Sequence, residues 1–392
     1  MKYSKRVTLL NESMTIAISS LARNLKEQGK DVLSFSAGEP DFDTPKIVKD
    51  EAIRAIHSGL TKYTEVSGIK ELRLAISNKL KNENNLDYEP SEIIVSNGAK
   101  HSLFNVFSAL IDSGDEVIIP APYWVTYPEL VNYFGGKNKI INTNESTDFK
   151  ITPSILLKNI TKKTKLLVLT SPSNPTGMVY SKEELEEIYD VIKDTDINII
   201  SDEIYEKLIY DGRKFTSIGS INRDMLERTI TINGLSKSLS MTGWRMGYLA
   251  SKDKQLIKFI NDLQSQSTSN INSITQRASI MGLNGDSNMD IENFCSTFEN
   301  RRNLAYKLIN EIKPLELLLP HGAFYLFINI KKANKDSMEF CKDLLEKEGV
   351  ALVPGVAFGM EGYVRFSFAC SEEQISEGVS RIKNYINGLN LL

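Results

Sequence analysis

Two charged residues that follow short apolar runs give the first indication of chemistry in this chain. Lys237 follows the run Thr229–Asn233 and lies among small and apolar residues. Such a lysine is either a surface side chain or a desolvated amine with a lowered pKa, fit to form a Schiff base. Asp202 follows the run Asn198–Ser201, and a carboxylate at the end of a buried strand is costly to desolvate without a cationic partner. The ordinary alternative for this aspartate is a helix cap.

Two further segments have the composition of a binding site. Ser96–Lys100 precede a helical stretch, and small residues there let backbone N–H groups approach a phosphate that the helix dipole favours. An ordinary strand–helix turn is the alternative. Asn174 lies between prolines that hold the backbone extended, so it belongs either to a rigid surface loop or to a site that uses its amide. Arg245, eight residues after Lys237, would complement a phosphate.

These segments follow the strands of a predicted α/β sheet. Seven apolar runs of four to six residues alternate with amphipathic helical stretches, as a buried, mostly parallel sheet requires. The predicted strands are Glu92–Ser96, Glu116–Pro120, Lys139–Asn142, Lys165–Thr170, Asn198–Ser201, Thr229–Asn233 and Gly247–Ser251. Ser181 and Glu184 predict a capping box at the start of one of the helices. Ligands bind beyond the carboxyl ends of such strands, so we predict the site there.

The pattern changes after Asn284-Gly285, which predicts a second, smaller α+β domain. Two helices are predicted there, over Met289–Leu308 and around Met338–Glu346. The predicted strands are Leu315–Leu319, Ala323–Ile330, Val350–Val353 and Tyr363–Phe368. We predict a large domain over residues 46–286 and a discontinuous small domain from residues 1–45, with a helix near Thr15–Gln28, and 287–392.

Composition excludes several classes of protein. The 392 residues carry 47 Lys and Arg against 50 Asp and Glu, so a broad basic surface for nucleic acid or for an anionic membrane is not expected. No apolar run reaches the ~18 residues of a membrane span, and the first residues lack the apolar core of a signal peptide. Three cysteines without a C-x-x-C pair and three scattered histidines predict neither a disulfide framework nor a metal site. We expect a cytoplasmic protein.

Taken together, the motifs resemble those of the class I aminotransferases, which are pyridoxal-phosphate enzymes of fold type I. The signature is Ser236–Arg245, which contains Lys237 and the sequence Met-Thr-Gly-Trp-Arg. Other segments fall in the order of the family: Ser36–Phe42, Lys62–Thr64, Pro122–Trp124, Ser173–Gly177, Ser201–Tyr205 and Tyr363–Ser367. The resemblance covers essentially the whole chain and is strongest to the bacterial aspartate aminotransferases of the Bacillus and Thermus kind. It implies a large domain with a seven-stranded, mostly parallel sheet.

The resemblance also implies roles around the pyridoxal ring. Lys237 would form the internal aldimine and then move a proton between the substrate Cα and the cofactor as general base and acid. Asp202 would pair with the pyridine nitrogen and keep it protonated. Tyr205 and Asn174 would donate to the phenolic oxygen, and Trp124 would stack on the ring face.

The resemblance assigns the remaining site residues to the cofactor phosphate and to the substrate. The phosphate group would be held by Gly98, Ala99, Lys100, Ser236, Arg245 and the partner subunit's Tyr63. Arg365 would bind the substrate α-carboxylate bidentately, with backbone from Gly38. Trp124, Asn174 and the partner's Asn270 would also contact substrate. Two residues reaching across subunits predict an obligate homodimer with shared sites.

Two departures from the family bear on the substrate. Ser265–Asn270 contains no arginine, whereas in animal-type aspartate enzymes the matching segment supplies one to the distal carboxylate. Lys100 stands where the Thermus-like group uses a lysine, so we predict that it binds this carboxylate. Asn11-Glu12-Ser13 stand where relatives often have a Pro-Ser pair, which bears on fine specificity.

The predicted reaction is transfer of the amino group of L-aspartate to 2-oxoglutarate by a ping-pong mechanism, giving oxaloacetate and L-glutamate. A same-class enzyme for prephenate or aromatic substrates is the alternative. The rival from another class, a cofactor-sensing regulator, needs a DNA-binding domain in front, and the family pattern begins within the first 40 residues.

Overall fold

Thirteen strands and thirteen α-helices are present in residues 1–11 and 14–389, the part of the chain described by the computed structural model. The strands are β1 (Leu33–Ser34), β2 (Ile93–Asn97), β3 (Glu116–Ala121), β4 (Lys137–Asn142), β5 (Thr164–Thr170), β6 (Asn198–Asp202), β7 (Thr229–Gly234), β8 (Met246–Ala250), β9 (Glu316–Leu317), β10 (Tyr325–Asn329), β11 (Val350–Ala351), β12 (Val353–Pro354) and β13 (Tyr363–Ser367).

Helices and strands alternate along the chain from β2 to β7. The helices are α1 (Met14–Glu27), α2 (Lys46–His57), α3 (Lys70–Asn84), α4 (Ala99–Leu110), α5 (Thr126–Tyr133), α6 (Pro153–Asn159), α7 (Lys182–Ile192), α8 (Arg223–Arg228), α9 (Lys254–Ser267), α10 (Ser273–Leu283), α11 (Asn288–Asn310), α12 (Ser337–Glu348) and α13 (Glu372–Gly388). None of the helices in the described residues has both the length and the apolar composition needed to cross a membrane.

A seven-stranded sheet in the order β2-β8-β7-β6-β5-β3-β4 forms the centre of the fold. All seven strands predicted for it are confirmed, with ends that differ by at most two residues. Every residue of β7 and of β8 is buried, which explains why both strands are apolar on both faces. β8 runs in the direction opposite to that of the other six strands, so the sheet is mostly parallel as predicted and the α/β fold class is confirmed.

The helix predicted from the capping box is α7. Ser181 Oγ accepts from the N–H of Glu184 at 3.2 Å, and Glu184 Oε2 accepts from the N–H of Ser181 at 2.8 Å. These two bonds satisfy donors that the first helical turn cannot satisfy itself. The helices predicted near Thr15–Gln28, over Met289–Leu308 and around Met338–Glu346 correspond to α1, α11 and α12.

The later strands form a four-stranded sheet in the order β12-β13-β10-β9 and a two-stranded sheet of β1 with β11. The single strand predicted over Val350–Val353 is wrong in one respect, because it divides into β11 and β12, which belong to different sheets. The β1–β11 pair links Leu33 to Val350, so the first 45 residues contact the last part of the chain. The boundaries that divide the chain into residues 46–286 and 1–45 with 287–392 stay a prediction.

Candidate active site

A cavity of about 1000 Å³ opens beyond the carboxyl ends of β6 and β7. Its wall includes eleven of the residues singled out from the sequence: Gly38, Ala99, Lys100, Trp124, Asn174, Asp202, Tyr205, Ser236, Lys237, Arg245 and Arg365. These residues come from separate strand ends and loops along more than 300 residues of chain. The site is therefore at the end of the sheet where parallel α/β folds place their ligands.

Lys237 is half-buried in this cavity, on the segment that follows β7. Its Nζ donates a hydrogen bond to the carbonyl oxygen of Gly38. Burial lowers the pKa of Lys237 to about 8, with the charges of Arg365 and Arg245 acting in the same direction and Glu39 opposing them. The amine is therefore neutral for a useful fraction of the time near pH 7.

Asp202 ends β6 and is 4% exposed. Its Oδ2 accepts a hydrogen bond of 2.7 Å from the hydroxyl of Tyr127, and its Oδ1 accepts one of 3.3 Å from the N–H of Ile204. Burial raises the pKa of Asp202, and the Tyr127 bond partly opposes this. Sequence reasoning missed Tyr127, which lies three residues after Trp124 and packs edge-on against its ring, with 5.5 Å between the ring centres.

The first turn of α4 offers unpaired backbone donors beside a guanidinium. Gly98 precedes the helix with φ of +82°, and a Cβ there would lie 2.7 Å from Arg245 Nη2. Within the described residues, the N–H groups of Ala99 and Lys100 have no acceptor. Ser236 is buried and also lines the cavity. Free N–H groups at a helix N-terminus with an arginine beside them are suited to a phosphate dianion.

Arg365 on β13 is 3% exposed and is held by the neighbouring segments. Its Nη1 donates to Asn174 Oδ1 at 2.9 Å and its Nη2 donates to the carbonyl oxygen of Ser36 at 2.8 Å, while Nε is buried without a partner in the described part of the chain. The guanidinium lies 4.3 Å from the ring centre of Tyr325, whose hydroxyl is 2.8 Å from the Tyr205 hydroxyl. This arrangement fixes the guanidinium plane before any ligand arrives.

Tyr325 is the second site residue that sequence reasoning missed. It lies on β10, next to β13, and it links Tyr205 to Arg365. The sequence contains no local signal for this contact, because Tyr205 and Tyr325 are 120 residues apart.

Lys100 lies on the cavity side of α4 with its Nζ 4.9 Å from the ring centre of Trp124. Partial desolvation and the charge of Arg245 lower the pKa of Lys100. Among the described residues this ammonium has no carboxylate partner. It is therefore a cation without a counterion beside an aromatic wall.

Two predicted residues lie away from the cavity of this chain. Tyr63 is 91% exposed, and Asn270 donates from Nδ2 to the carbonyl oxygen of Ile271 at 2.6 Å. Neither residue lines the cavity, so their roles across a dimer stay predictions. Of the predicted specificity segment, Glu12 and Ser13 lie outside the described residues.

The donor set of the cavity fits pyridoxal phosphate. One end has free N–H groups and Arg245 for a phosphate, and the middle has an amine with a lowered pKa for an aldehyde. Asp202 is a buried acid without a cation in hydrogen-bond contact, as expected of a partner for a protonated ring nitrogen. No group of His, Cys, Asp and Glu in residues 1–11 and 14–389 is arranged to hold a metal ion.

Comparison with known proteins agrees with this geometry. The family model for aminotransferase class I and II matches residues 30–382. The chain is 47% identical over 391 residues to the aspartate aminotransferase of Bacillus subtilis, which covers 98% of this chain and 99% of the relative. It is 44% identical to the aspartate/prephenate aminotransferase of Nitrosomonas europaea, over 99% of this chain and all of the relative.

Among solved structures, the aspartate aminotransferase from Thermus thermophilus with maleate superposes with a TM-score of 0.94 at 40% identity, covering 98% of this chain and 99% of the other. The predicted fold type I architecture and the likeness to the Bacillus and Thermus enzymes are both confirmed. This chain belongs to the class I and II aminotransferase family.

Proposed function

We propose that the chain is an aspartate aminotransferase that uses pyridoxal phosphate to transfer the amino group of L-aspartate to 2-oxoglutarate. The observation that carries the proposal is the convergence of Lys237, an amine with a lowered pKa, and the buried acid Asp202 in one cavity. The names of the Bacillus and Thermus relatives support the substrate.

The cofactor would be held at both ends and on one face. Its phosphate would accept from the N–H groups of Ala99 and Lys100, with Ser236 and Arg245 supplying further donors. Asp202 would hold the proton of the ring nitrogen. Tyr205 and the free amide Nδ2 of Asn174 would donate to the phenolic oxygen, and Trp124 would cover one ring face.

Proton transfer at the substrate Cα is the task of Lys237. When bound, pyridoxal phosphate supplies an electron sink for the negative charge that develops at Cα. An amine with a pKa of about 8 can take a proton at Cα and return one near neutral pH, which general acid–base catalysis requires. Tyr127 holds the Asp202 carboxylate in place through its 2.7 Å bond, so the acid keeps its orientation during the reaction.

Two cations would bind the two carboxylates of aspartate. Arg365 would grip the α-carboxylate through its fork geometry, since Asn174 and Ser36 fix its plane and its Nε lacks an acceptor. The Gly38 backbone would offer a further contact to this carboxylate, since Gly38 lies beside Tyr325, the tyrosine against which the Arg365 guanidinium packs. Lys100 would pair with the distal carboxylate, which is supported by the absence of an acidic partner in the described residues.

The site would be completed by a second subunit. Tyr63 and Asn270 have no contact with the cavity of their own chain, so we propose a homodimer in which the partner's Tyr63 and the partner's Asn270 complete each site. We also propose the cytoplasm as the compartment, in keeping with three cysteines that form no disulfide.

A panel of amino donors and oxo acids tests the proposal. The purified protein is expected to prefer aspartate and glutamate with oxaloacetate and 2-oxoglutarate, measured as kcat/KM by coupled assays. Lys100→Ala is expected to lower kcat/KM for aspartate by about tenfold to a hundredfold through the lost ion pair. Lys163→Ala, which removes an exposed lysine far from the cavity, is the matched control.

Two results would overturn the proposal. A preference for prephenate or aromatic substrates would replace the substrate but keep the class, as the name of the Nitrosomonas relative suggests for that protein. Binding of pyridoxal phosphate without turnover of any amino donor would instead favour the alternative function, that of a regulatory protein that senses the cofactor.

A further inference from the structure

The cavity has a charge opposite to that of the chain. The whole protein has a formal net charge of −3, yet the Lys, Arg, Asp and Glu side chains that line the cavity are six basic and only two acidic. The acidic ones are Glu39 and Asp202. The basic ones are Arg23, Lys26, Lys100, Lys237, Arg245 and Arg365.

Four of the six basic side chains have roles in the proposed function, and two have none. Arg23 and Lys26, here called the mouth pair, are exposed side chains three residues apart on α1, so they share one face of the helix. Within the described residues neither makes an ion pair or a hydrogen bond. Basic residues on a solvated helix face normally have no preferred orientation toward a site, but both of these line the cavity.

Unpaired cations on the wall of a cleft have an effect beyond their own contacts. Low-dielectric walls focus their field into the cleft and raise the local concentration of anions. The field extends over a Debye length of about 10 Å at 0.1 M salt, so it acts on a substrate before the substrate reaches Arg365. The attraction scales with the charge of the substrate, and a dianion therefore gains twice as much as a monoanion.

We propose that the mouth pair is a capture subsite for dicarboxylate anions. This inference rests on the proposed function, which identifies the substrates as dicarboxylates. A carboxylate of the incoming amino acid or oxo acid binds Arg23 and Lys26 transiently at the opening, and the molecule then moves inward to Arg365 and Lys100. The mouth pair thus increases the preference for dicarboxylates without contacting the reacting atoms.

The test is the double variant Arg23→Gln/Lys26→Gln. Its matched control is Lys30→Gln/Lys335→Gln, which removes the same charge from two exposed lysines that do not line the cavity. At about 20 mM salt, kcat/KM for 2-oxoglutarate is expected to fall about fivefold in the mouth variant. The fall in kcat/KM for aspartate is expected to be smaller, because aspartate has one net negative charge fewer. At about 500 mM salt both losses shrink, and kcat at saturation stays near the wild-type value.

A second measurement is independent of turnover. Pyridoxal phosphate is itself a dianion at its phosphate, and its association rate with the apoprotein at low salt is expected to fall several-fold in the mouth variant and to stay unchanged in the control. A mouth variant that behaves like the control in both measurements, or a loss that high salt does not reduce, would overturn the inference.

The two measurements also separate this inference from the proposed function. A wild-type protein that accepts no dicarboxylate would refute the proposed function. In that case the association rate alone decides whether Arg23 and Lys26 attract anions, since it requires no substrate.

Discussion

Lys237 is expected to titrate near pH 8 in the apoprotein, because burial lowers its pKa from 10.5 to about 8. At pH 7 an amine with this pKa is neutral about one tenth of the time, against about one part in 3,000 for an ordinary lysine. The structure therefore implies a gain of about 300-fold in the reactive form of the amine at neutral pH. This gain makes attack on an aldehyde fast without a separate base.

Competitive labelling measures this pKa without the cofactor. The apoprotein is treated with a limiting amine reagent between pH 7 and 11, and the label on each lysine peptide is quantified by mass spectrometry. Lys237 is expected to reach its plateau about two pH units before the exposed lysines do. A midpoint near 10.5 would instead show that the Lys237 amine is fully hydrated and that burial does not lower its pKa.

A variant that removes the negative charge of Glu39 tests whether nearby charges contribute to the pKa of Lys237. Glu39 raises the pKa of Lys237, so Glu39→Gln is expected to lower the labelling midpoint further. The glutamine can still accept the 2.8 Å bond from the Thr242 hydroxyl, which keeps the local structure. Glu346→Gln, an exposed carboxylate elsewhere, serves as the control.

The same pKa makes stability depend on pH with a defined sign. The folded apoprotein binds the Lys237 proton more weakly than the unfolded chain does, so its stability rises as pH increases from about 8 toward 10.5. Lys237→Met removes the titrating group and is expected to flatten this rise in urea titrations of the apoprotein.

Three further predictions concern the residues that support the site and the fold. Tyr127→Phe removes the 2.7 Å bond to Asp202, so the pKa of Asp202 rises and the dissociation constant of pyridoxal phosphate, measured by fluorescence, is expected to increase about fivefold to tenfold. Asp202→Asn removes the buried acid itself and is expected to lower kcat by about 100-fold or more, whereas an unchanged kcat would contradict its role. Arg302, 1% exposed, makes two 2.7 Å bonds to Asp211 and holds the pKa of that carboxyl at about 2. The Asp211 side chain is 36% exposed, so solvent screens this pair in part. Arg302→Met should therefore lower the free energy of unfolding by about 1–2 kcal/mol at pH 7, and by less as pH falls from 4 toward 2, where the wild type loses the same contribution.

Local patterns were sufficient to predict the strands of the large sheet. Each strand is an apolar run with turn residues at both ends, and the same pattern identifies β7 and β8 equally well. The direction of β8 was not predicted, although only eleven residues connect Gly234 to Met246 and no crossover helix lies between them. Direction depends on the connection, which a strand pattern does not contain.

The site was predictable where its residues lie directly after strands and less so where it depends on contacts between distant segments. Asp202 is the last residue of β6, and Lys237 follows the neighbouring strand β7. The topology alone therefore brings the two residues to one edge of the sheet. Tyr325 and Arg23 belong to other sheets and helices, and their place at the cavity depends on how these pack together. The excess of basic side chains at the cavity could not be predicted either, because composition gives only the net charge of the whole chain.

Borohydride reduction of the purified holoprotein, followed by peptide mapping, shows which lysine carries pyridoxal phosphate. Reduction fixes the cofactor to the amine that carries it, and the mass of the modified peptide identifies that residue. We expect stoichiometric modification of Lys237 in the wild type and no modification in Lys237→Ala. Modification at any other lysine, or a protein that binds no pyridoxal phosphate, would contradict this expectation.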